Sequence, residues 1–273
     1  MKKSMVWVVA LLLGFGIIFN SYLGDIAAAD KKQVVKLGIA GEDYRIWNIV
    51  KAKLAKEAIE LQIISFADYI RPNLALAEKE IDLNAFQHYA YLNKFAADRH
   101  LKLAPIGETI LAPMGIYSSS LKSVKKLKAE AKIAIPNDAT NEGRALNLLQ
   151  SAGLIKIKAG VGLLPTLKDV VENPKRLQII ELVATQIPRS LQDVDIAVIN
   201  SGVAIDAKFS PVKDAIFLEN SKLETSKPYV NLIVAREEDK DNSLYQKVVK
   251  AYRSKDVKNA INTIYQGAFI PAF

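Results

Sequence analysis

An aromatic group with one histidine follows two of the predicted strands and is suited to hold a side chain. It consists of Tyr69, Phe86, His88 and Tyr91. Aromatic rings suit an apolar or sulfur-containing group, because a thioether sulfur against a ring edge gains about 0.3–1.5 kcal/mol per contact. Taken alone, Phe86 is better explained as a core residue and Tyr69 as a surface turn. The group therefore indicates a binding site only in combination with other residues.

A second, polar group follows two further strands. Asn141 and Arg144 stand at the start of a predicted helix that begins near Thr140, and Asn200 follows a later strand. Free helix amides and a guanidinium suit a carboxylate or a phosphate, at about 1.5–3 kcal/mol per charge-assisted hydrogen bond. Each asparagine can donate and accept, which suits a zwitterion. The alternatives are an ion pair of Arg144 with Glu142 and asparagines that only cap turns.

His88 has three possible roles, as a base, a metal ligand or a structural histidine. His100 is the only other histidine and the chain has no cysteine, so a zinc site is not expected. The sequence has neither the G-x-S-x-G of a nucleophile elbow nor a P-loop, which argues against a serine hydrolase and an ATPase. No cofactor is predicted. An extracytoplasmic enzyme that uses His88 with Asp138 as base and acid stays an alternative.

An α/β scaffold must position these residues. Short β-branched runs alternate with helical patterns from residue 34, which is typical of a sheet covered by helices. The predicted strands are 34–39, 61–66, 81–85, 110–117, 132–135, 178–182, 195–199, 215–218 and 230–235. The predicted helices are 46–57, 72–79, one that starts near residue 140, 242–255 and 257–266, together with a short helix at 121–127.

So many strands fit two α/β lobes with a ligand cleft between them better than one sheet. The predicted division is a signal peptide at 1–29, the first part of lobe 1 at 30–112, lobe 2 at 113–224 and a return to lobe 1 at 225–273.

Residues 1–29 have the order of a secretory signal. Lys2 and Lys3 precede an apolar run at 6–19, and a small-residue string ends at Ala29. The run would reach roughly 21 Å as a helix, short of a bilayer core of roughly 30 Å. We therefore expect export to the periplasm or another extracytoplasmic location, with cleavage after Ala29. The alternative is an uncleaved signal that keeps the protein on the membrane.

The composition is that of a globular protein. The 273 residues are 50% hydrophobic and 24% charged, with a net charge of +8. Basic and acidic residues are interspersed, which indicates a solvated surface and not a nucleic-acid site. The absence of cysteine excludes disulfides and lipid attachment to a cysteine.

Many stretches of the chain match one family in order. They include DLNAFQH at 82–88, PMGIYS at 113–118, AIPND at 134–138, GRAL at 143–146, GVGLL at 160–164, VENPK at 171–175, PRSL at 188–191 and AVIN at 197–200. In these stretches the sequence resembles the NlpA/MetQ lipoproteins, which are substrate-binding proteins of methionine ABC importers. The resemblance covers nearly all of the chain after residue 29.

The resemblance implies a two-lobed type II periplasmic-binding-protein fold with hinge strands between the lobes. It implies an aromatic cage for a methionine side chain, together with contacts to the carboxylate and amino groups. The implied substrate-binding residues are Tyr69, Phe86, His88, Tyr91, Asn141, Arg144 and Asn200. Three features depart from the family: the lipobox cysteine is missing, Gly202 replaces a bulkier residue beside Asn200, and Ala139 and Tyr89-Ala90 replace a common Pro and Lys-Pro.

We expect a monomeric, non-enzymatic protein that captures an amino acid, L-methionine, and delivers it to the permease and ATPase subunits of an ABC importer. A different amino acid or a methionine-containing dipeptide is the alternative that Gly202 suggests. A surface interaction protein with a secondary role in transport is a third reading.

Overall fold

Thirteen strands and eight α-helices make up the described part of the chain. The computed structural model describes residues 32–220, 222 and 226–273, and the predicted signal at 1–29 lies outside them. The strands are β1 Gln33–Ala40, β2 Ile59–Phe66, β3 Leu83–Asn84, β4 Leu103–Leu111, β5 Gly115–Tyr117, β6 Lys132–Pro136, β7 Lys156–Ile157, β8 Val170–Glu172, β9 Gln178–Leu182, β10 Ile196–Ile199, β11 Phe217–Leu218, β12 Val230–Arg236 and β13 Ile270–Pro271. The helices are α1 Arg45–Ala55, α2 Arg71–Ala77, α3 Tyr89–Arg99, α4 Ala139–Ser151, α5 Ser201–Asp206, α6 Pro211–Asp214, α7 Ser243–Tyr252 and α8 Lys255–Tyr265.

The first lobe is built on a six-stranded sheet in the order β13-β4-β12-β3-β1-β2. Helices α1, α7 and α8 bury one apolar stripe each in its main core, which includes Leu37, Val50, Val248 and Ile261, all fully buried. Burial of such a side chain stabilises the fold by about 1.5–3 kcal/mol. The carboxyl ends of β1, β2 and β3 bring their following loops to one edge of this sheet.

The second lobe is built on a five-stranded sheet in the order β11-β5-β10-β6-β9. Strand β6 runs parallel to both β9 and β10, as expected for strands joined by helical crossovers. Helix α4 covers β6, and its Leu146 and Leu149 are fully buried with Ile133 and Ile135. The loops after β6 and β10 therefore emerge at the same edge. These two lobes confirm the predicted α/β, two-lobed fold, whereas the residue boundaries of the lobes stay a prediction.

The chain passes from the first sheet to the second where one continuous strand was expected. The prediction of a single strand at 110–117 was wrong, because β4 ends at Leu111 and β5 begins at Gly115, in a different sheet. Pro113 lies between them and has no N–H to donate to a strand ladder. The connection is therefore irregular backbone that joins the two lobes.

Two further predictions were wrong in detail. Residues 121–127 form only a 3₁₀ turn, Val124–Lys126, since an isolated helix of fewer than two turns is marginal. Val124 and Leu127 are buried in the second-lobe core, and Leu121 packs against it partly buried. Residues 89–91 and 201–202 were expected in the loops that follow the predicted strands 81–85 and 195–199, but they begin α3 and α5. None of the described helices has the length and apolar character needed to cross a membrane.

Candidate functional site

All seven predicted site residues lie around one cavity, to which both lobes contribute. Its volume is about 160 Å³. A cavity of about 150 Å³ accommodates a molecule the size of benzene, so this one suits a small organic ligand. We call the part formed by Tyr69, Phe86, His88 and Tyr91 the aromatic wall. The part formed by Asn141, Arg144 and Asn200 is the polar wall.

Three rings of the aromatic wall contact one another. The ring centroids of Tyr69 and Phe86 are 5.8 Å apart, and Tyr91 meets them edge-on at 6.1 and 5.9 Å. The Tyr91 hydroxyl donates a hydrogen bond of 2.8 Å to the Tyr69 carbonyl. Tyr91 is buried, whereas Tyr69 and Phe86 keep part of their surface exposed. The rings therefore do not simply fill the core, and they present a surface to the cavity.

A buried amide network supports this wall from behind. Asn73 and Gln87 exchange two side-chain hydrogen bonds, of 2.8 and 2.6 Å, and Asn84 donates to Asn73 at 2.9 Å. Gln87 also donates to Asn84 Oδ1 at 3.0 Å. All three side chains are at most 2% exposed. A buried network whose members satisfy one another is rigid, so it fixes the loop that carries Phe86 and His88.

His88 caps helix α3 and is neutral. Its Nδ1 accepts a hydrogen bond from the Tyr91 N–H at 3.1 Å, so the ring proton is on Nε2. Nε2 can then donate across the cleft to Asn141 Oδ1, 3.4 Å away. Burial, together with the charge of Arg144, lowers the pKa of His88 to about 3. The side chain therefore acts as a neutral hydrogen-bond donor at physiological pH.

In the polar wall, Asn141 is held by Asp138. The Asp138 side chain caps helix α4 and accepts from the backbone N–H and the side chain of Asn141, both at 3.0 Å. Asn141 Oδ1 in turn accepts from Asn200 Nδ2 at 2.7 Å. The other end of the Asn200 amide, Oδ1, is buried and has no hydrogen-bond partner among the described residues. An acceptor in this state is ready for a donor from a ligand.

Arg144 is paired with Glu219 and not with the local Glu142. Its Nε donates to Oε1 at 2.9 Å and its Nη2 to Oε2 at 2.5 Å, while Nη2 also reaches the Ala112 carbonyl at 2.9 Å. The guanidinium stacks over Tyr229, 4.2 Å from the ring centroid. Nη1 has no hydrogen bond to any described residue. The fork is thus neutralised and fixed by Glu219, and one edge is left for a ligand.

Three residues of the site were missed in the sequence. Asn231 and Thr185 line the same cavity, and Glu219 orients Arg144. Asn231 lies within the predicted strand 230–235 and Thr185 in a 3₁₀ segment after β9, so no loop pattern marked them. Among the residues described, no group of three or more His, Asp or Glu side chains is arranged to hold a metal.

Comparisons with known proteins identify the family of the chain. The family model described as NlpA lipoprotein matches residues 35–273. A relative in Vibrio cholerae, the probable D-methionine-binding lipoprotein MetQ, is 42% identical over 273 residues and covers 99% of both chains. The D-methionine-binding lipoprotein MetQ of Escherichia coli K12 is 45% identical over 241 residues, covering 86% of this chain and 87% of its own.

Solved structures show the same fold. A nutrient binding protein from Burkholderia cenocepacia, bound to methionine, aligns with a TM-score of 0.82 and 44% identity, covering 88% of this chain and all of its own. The substrate binding protein of a methionine transporter from Streptococcus pneumoniae has a TM-score of 0.83 and 37% identity, with 88% and 96% covered. The chain therefore belongs to the NlpA lipoprotein family and has its two-lobed substrate-binding-protein fold.

Proposed function

We propose that the protein binds methionine in the cavity between its lobes and delivers it to an ABC importer. The observation that carries the proposal is the pairing of an aromatic wall with a polar wall that retains an unpartnered acceptor, Asn200 Oδ1. An amino acid with an apolar, sulfur-containing side chain has the complementary groups. The relatives named for methionine binding support the choice of this ligand.

Each part of methionine has a partner in this arrangement. The thioether side chain lies among Tyr69, Phe86 and Tyr91, where sulfur–ring contacts each contribute about 0.3–1.5 kcal/mol. The ammonium donates to Asn200 Oδ1, and the carboxylate accepts from Arg144 Nη1. Because Glu219 already balances the charge of Arg144, the site as a whole suits a zwitterion and not an anion.

The two lobes would close on the ligand by bending at their connections, and the closed form would dock on a permease with ATPase subunits. His88 and Asn141, which reach each other across the cleft, belong to the closed form. We place the protein outside the cytoplasmic membrane as a monomer. The named relatives are lipoproteins, but this sequence has no cysteine to carry a lipid, so its N-terminal segment would be cleaved or would serve as the anchor.

The arrangement does not favour an enzyme. The low pKa of His88 makes it a weak base, and the carboxylate of Asp138 is engaged with Thr140 and Asn141 and makes no hydrogen bond to His88. Binding without turnover is therefore the proposed activity.

Calorimetric titration tests the proposal. The protein is unfolded and refolded to remove bound ligand, then titrated with L-methionine, D-methionine and a panel of other amino acids. We expect saturable one-to-one binding of methionine and no product. Heat from another amino acid but none from methionine would contradict the assignment, as would conversion of the ligand.

A further inference from the structure

Five exposed lysines lie close together in the second lobe, on the segment that leads into strand β6. Residues 121–132 contain these five and a single acidic residue, Glu130. None of the five ammonium groups forms a salt bridge or a hydrogen bond with a described residue. We call the set the basic surface. Its members are Lys122, Lys125, Lys126, Lys128 and Lys132.

The core of the second lobe holds this segment in place and turns its lysines outward. Val124 and Leu127 are buried in that core. They flank Lys125 and Lys126, which lie on the 3₁₀ turn and face solvent. The Lys175 ammonium donates to the Leu127 carbonyl and ties the segment to the turn before β9. The lysines of the basic surface therefore project from a fixed stretch of backbone.

The basic surface lies at the edge of the second sheet opposite the polar wall. Strand β6 is parallel to β9 and β10, so the amino ends of the three strands share one edge and their carboxyl ends share the other. Lys132 begins β6, whereas Asn141 and Asn200 follow the carboxyl ends of β6 and β10. A strand of five residues spans roughly 16 Å. A contact at the basic surface therefore leaves the cavity open to its ligand.

The two edges differ in charge. Asp138 follows the carboxyl end of β6, and Glu181 stands near the carboxyl end of β9. At the opposite edge, Glu130 is paired with Arg176 at 2.9 Å, and Asp195 Oδ2 accepts from the backbone N–H of Lys132. The ammonium groups of the basic surface therefore remain in excess there. A negatively charged surface would attract this edge of the lobe and repel the other.

Lysines are also numerous on helices α1, α7 and α8 of the first lobe, but acidic partners lie among them. Lys53 pairs with Asp256 at 2.6 Å, and Lys247 Nζ lies 3.8 Å from a Glu57 carboxylate oxygen. The basic surface has no such pair among the described residues. It is therefore the better candidate for a contact with an anionic partner.

We propose that the basic surface binds the head groups of anionic phospholipids and holds the protein at the outer face of the cytoplasmic membrane. The proposal rests on the extracytoplasmic placement given with the proposed function. A lysine beside an anionic membrane strengthens binding by about fivefold, so five lysines give a reversible attachment. This sequence has no cysteine to carry a lipid, and such a contact would keep the protein near its permease after cleavage of the signal.

The composition of the basic surface favours a lipid partner. Residues 121–132 contain neither arginine nor an aromatic residue. Protein interfaces are enriched in arginine and aromatic residues and depleted in lysine, and single-stranded nucleic acids are bound by aromatic stacking. Lysine is a flexible point charge, which suits mobile head groups without a fixed geometry. An acidic protein is the alternative partner.

Sedimentation with vesicles tests the proposal on the full chain. Vesicles that contain phosphatidylglycerol are compared with vesicles of phosphatidylcholine alone, because the apolar residues 6–19 can bind to both. The readout is the ratio of the two partition coefficients. The test variant combines Lys122→Gln, Lys125→Gln, Lys126→Gln and Lys128→Gln. The matched control combines Lys51→Gln, Lys56→Gln, Lys250→Gln and Lys255→Gln, at exposed positions of the first lobe. Thermal unfolding shows that both variants are folded.

We expect the wild-type protein to prefer the anionic vesicles. The preference should disappear in 1 M salt, because the Debye length falls from about 10 Å at 0.1 M to about 3 Å. The test variant should lower the ratio at least about tenfold, and the control by about threefold or less. An equal loss in the two variants, or a wild-type ratio of one, would overturn the proposal.

A fluorescent label locates the contact. Because the chain has no cysteine, Ala129→Cys gives a single attachment site on the exposed turn between Lys128 and Lys132. Ala52→Cys, on the exposed side of α1, is the control. Lipids that carry a nitroxide on the head group should quench the label at position 129 and leave the label at position 52 bright. The reverse pattern would show that another face of the protein meets the membrane.

The outcomes separate this proposal from the proposed function. The test variant should bind methionine as the wild-type protein does, with or without vesicles. If methionine binds but the vesicle ratio does not depend on the basic surface, the lipid proposal is wrong and the proposed function stands. If the basic surface binds anionic vesicles and methionine does not bind, the proposed function alone fails. Tighter binding of this surface to soluble polyglutamate than to anionic vesicles, at equal charge concentration, would assign it to an acidic protein and overturn the proposal.

Discussion

The aromatic wall and the polar wall of the cavity differ in how far their polar atoms are satisfied. Behind the aromatic wall, the amides of Asn73, Asn84 and Gln87 hydrogen-bond one another. In the second lobe, Thr185 Oγ1 and Asn200 Oδ1 are buried without partners among the described residues. The polar atoms behind the surface that the first lobe presents to the side chain are therefore paired, whereas the second lobe has buried polar atoms that no described residue satisfies and that are available to a ligand.

This difference predicts where stability and affinity reside. A satisfied, rigid wall contributes to the stability of the fold and selects the ligand by shape. Unsatisfied atoms destabilise the empty protein and contribute to affinity when the ligand arrives. Variants that disturb the aromatic wall should therefore mainly lower the free energy of unfolding. Variants in the polar wall should mainly lower the affinity for methionine.

The largest effect is expected at Arg144, which contributes both to the stability of the fold and to the affinity for the ligand. Arg144→Ala removes the guanidinium from the largely buried Glu219, and breaking such a pair should lower the free energy of unfolding by about 3 kcal/mol. Methionine affinity should fall at least about tenfold, because a charge-assisted bond to the carboxylate is lost. Urea unfolding and calorimetry measure the two quantities.

The double variant Arg144→Leu with Glu219→Gln separates these contributions. It should recover most of the stability, since no charge remains buried, but not the affinity. Recovery of methionine binding in this variant would refute the role of Arg144 as the carboxylate ligand.

A pH effect is expected from His88 in the aromatic wall. Its pKa is lowered from 6.5 to about 3 in the folded protein, so between these values the unfolded chain binds more protons. The contribution of His88 to stability is complete above pH 6.5 and is lost as the pH falls, by about 1.4 kcal/mol per pH unit. His88→Asn keeps a side-chain cap for α3 and should make the decline between pH 6.5 and 4.5 shallower. The free energy of unfolding is measured with urea at each pH. If it falls equally steeply with pH in the variant and in the wild type, His88 is not buried as a neutral ring.

Asn73→Ala should damage the aromatic wall through its support. The variant removes the donor to Gln87 Oε1 and the acceptor that Gln87 Nε2 and Asn84 Nδ2 share, and leaving the buried Gln87 Oε1 unpartnered should cost about 2 kcal/mol of unfolding free energy. Affinity should fall as well, because the loop of Phe86 and His88 loosens. Asn259→Ala, on the exposed face of α8, is the control and should stay within about 0.5 kcal/mol. A stable Asn73→Ala variant with unchanged affinity would show that the network does not position the wall.

Asn200→Ala, in contrast to Asn73→Ala, should lower the affinity for methionine more than the stability of the fold. It removes an unsatisfied acceptor and one hydrogen bond to Asn141, so the free energy of unfolding should change by less than about 1 kcal/mol. Methionine affinity should fall about tenfold, or about 1.4 kcal/mol. A variant that lost stability but kept its affinity would reverse the proposed contrast between the walls.

The sequence predicted the parts of the site that follow strands. Loops at the carboxyl ends of parallel strands meet at one edge of their sheet, which brought Asn141 and Asn200 together in the second lobe. Phe86 follows a strand of the first-lobe sheet and lines the same cavity from that lobe. The sequence could not predict the ion pair between Arg144 and Glu219. These residues are 75 positions apart, and only the folded chain brings them together.

Local signals explain the errors in secondary structure. Helix α3 was missed because its cap is His88, which is outside the usual Ser, Thr, Asp and Asn set, and because its apolar face is weak. The strand predicted at 110–117 has a continuous apolar pattern, and that pattern does not reveal a change of sheet at Pro113. The lobe boundaries and the roles of the site residues stay predictions.

The orientation of the bound ligand tests the account most directly. Crystals grown with L-selenomethionine would locate the selenium by its anomalous scattering. We expect the selenium to lie against the rings of Tyr69, Phe86 and Tyr91, with the ligand carboxylate at Arg144 and its ammonium at Asn200. Selenium on the side of Arg144 and Asn200, or outside the cavity, would contradict it.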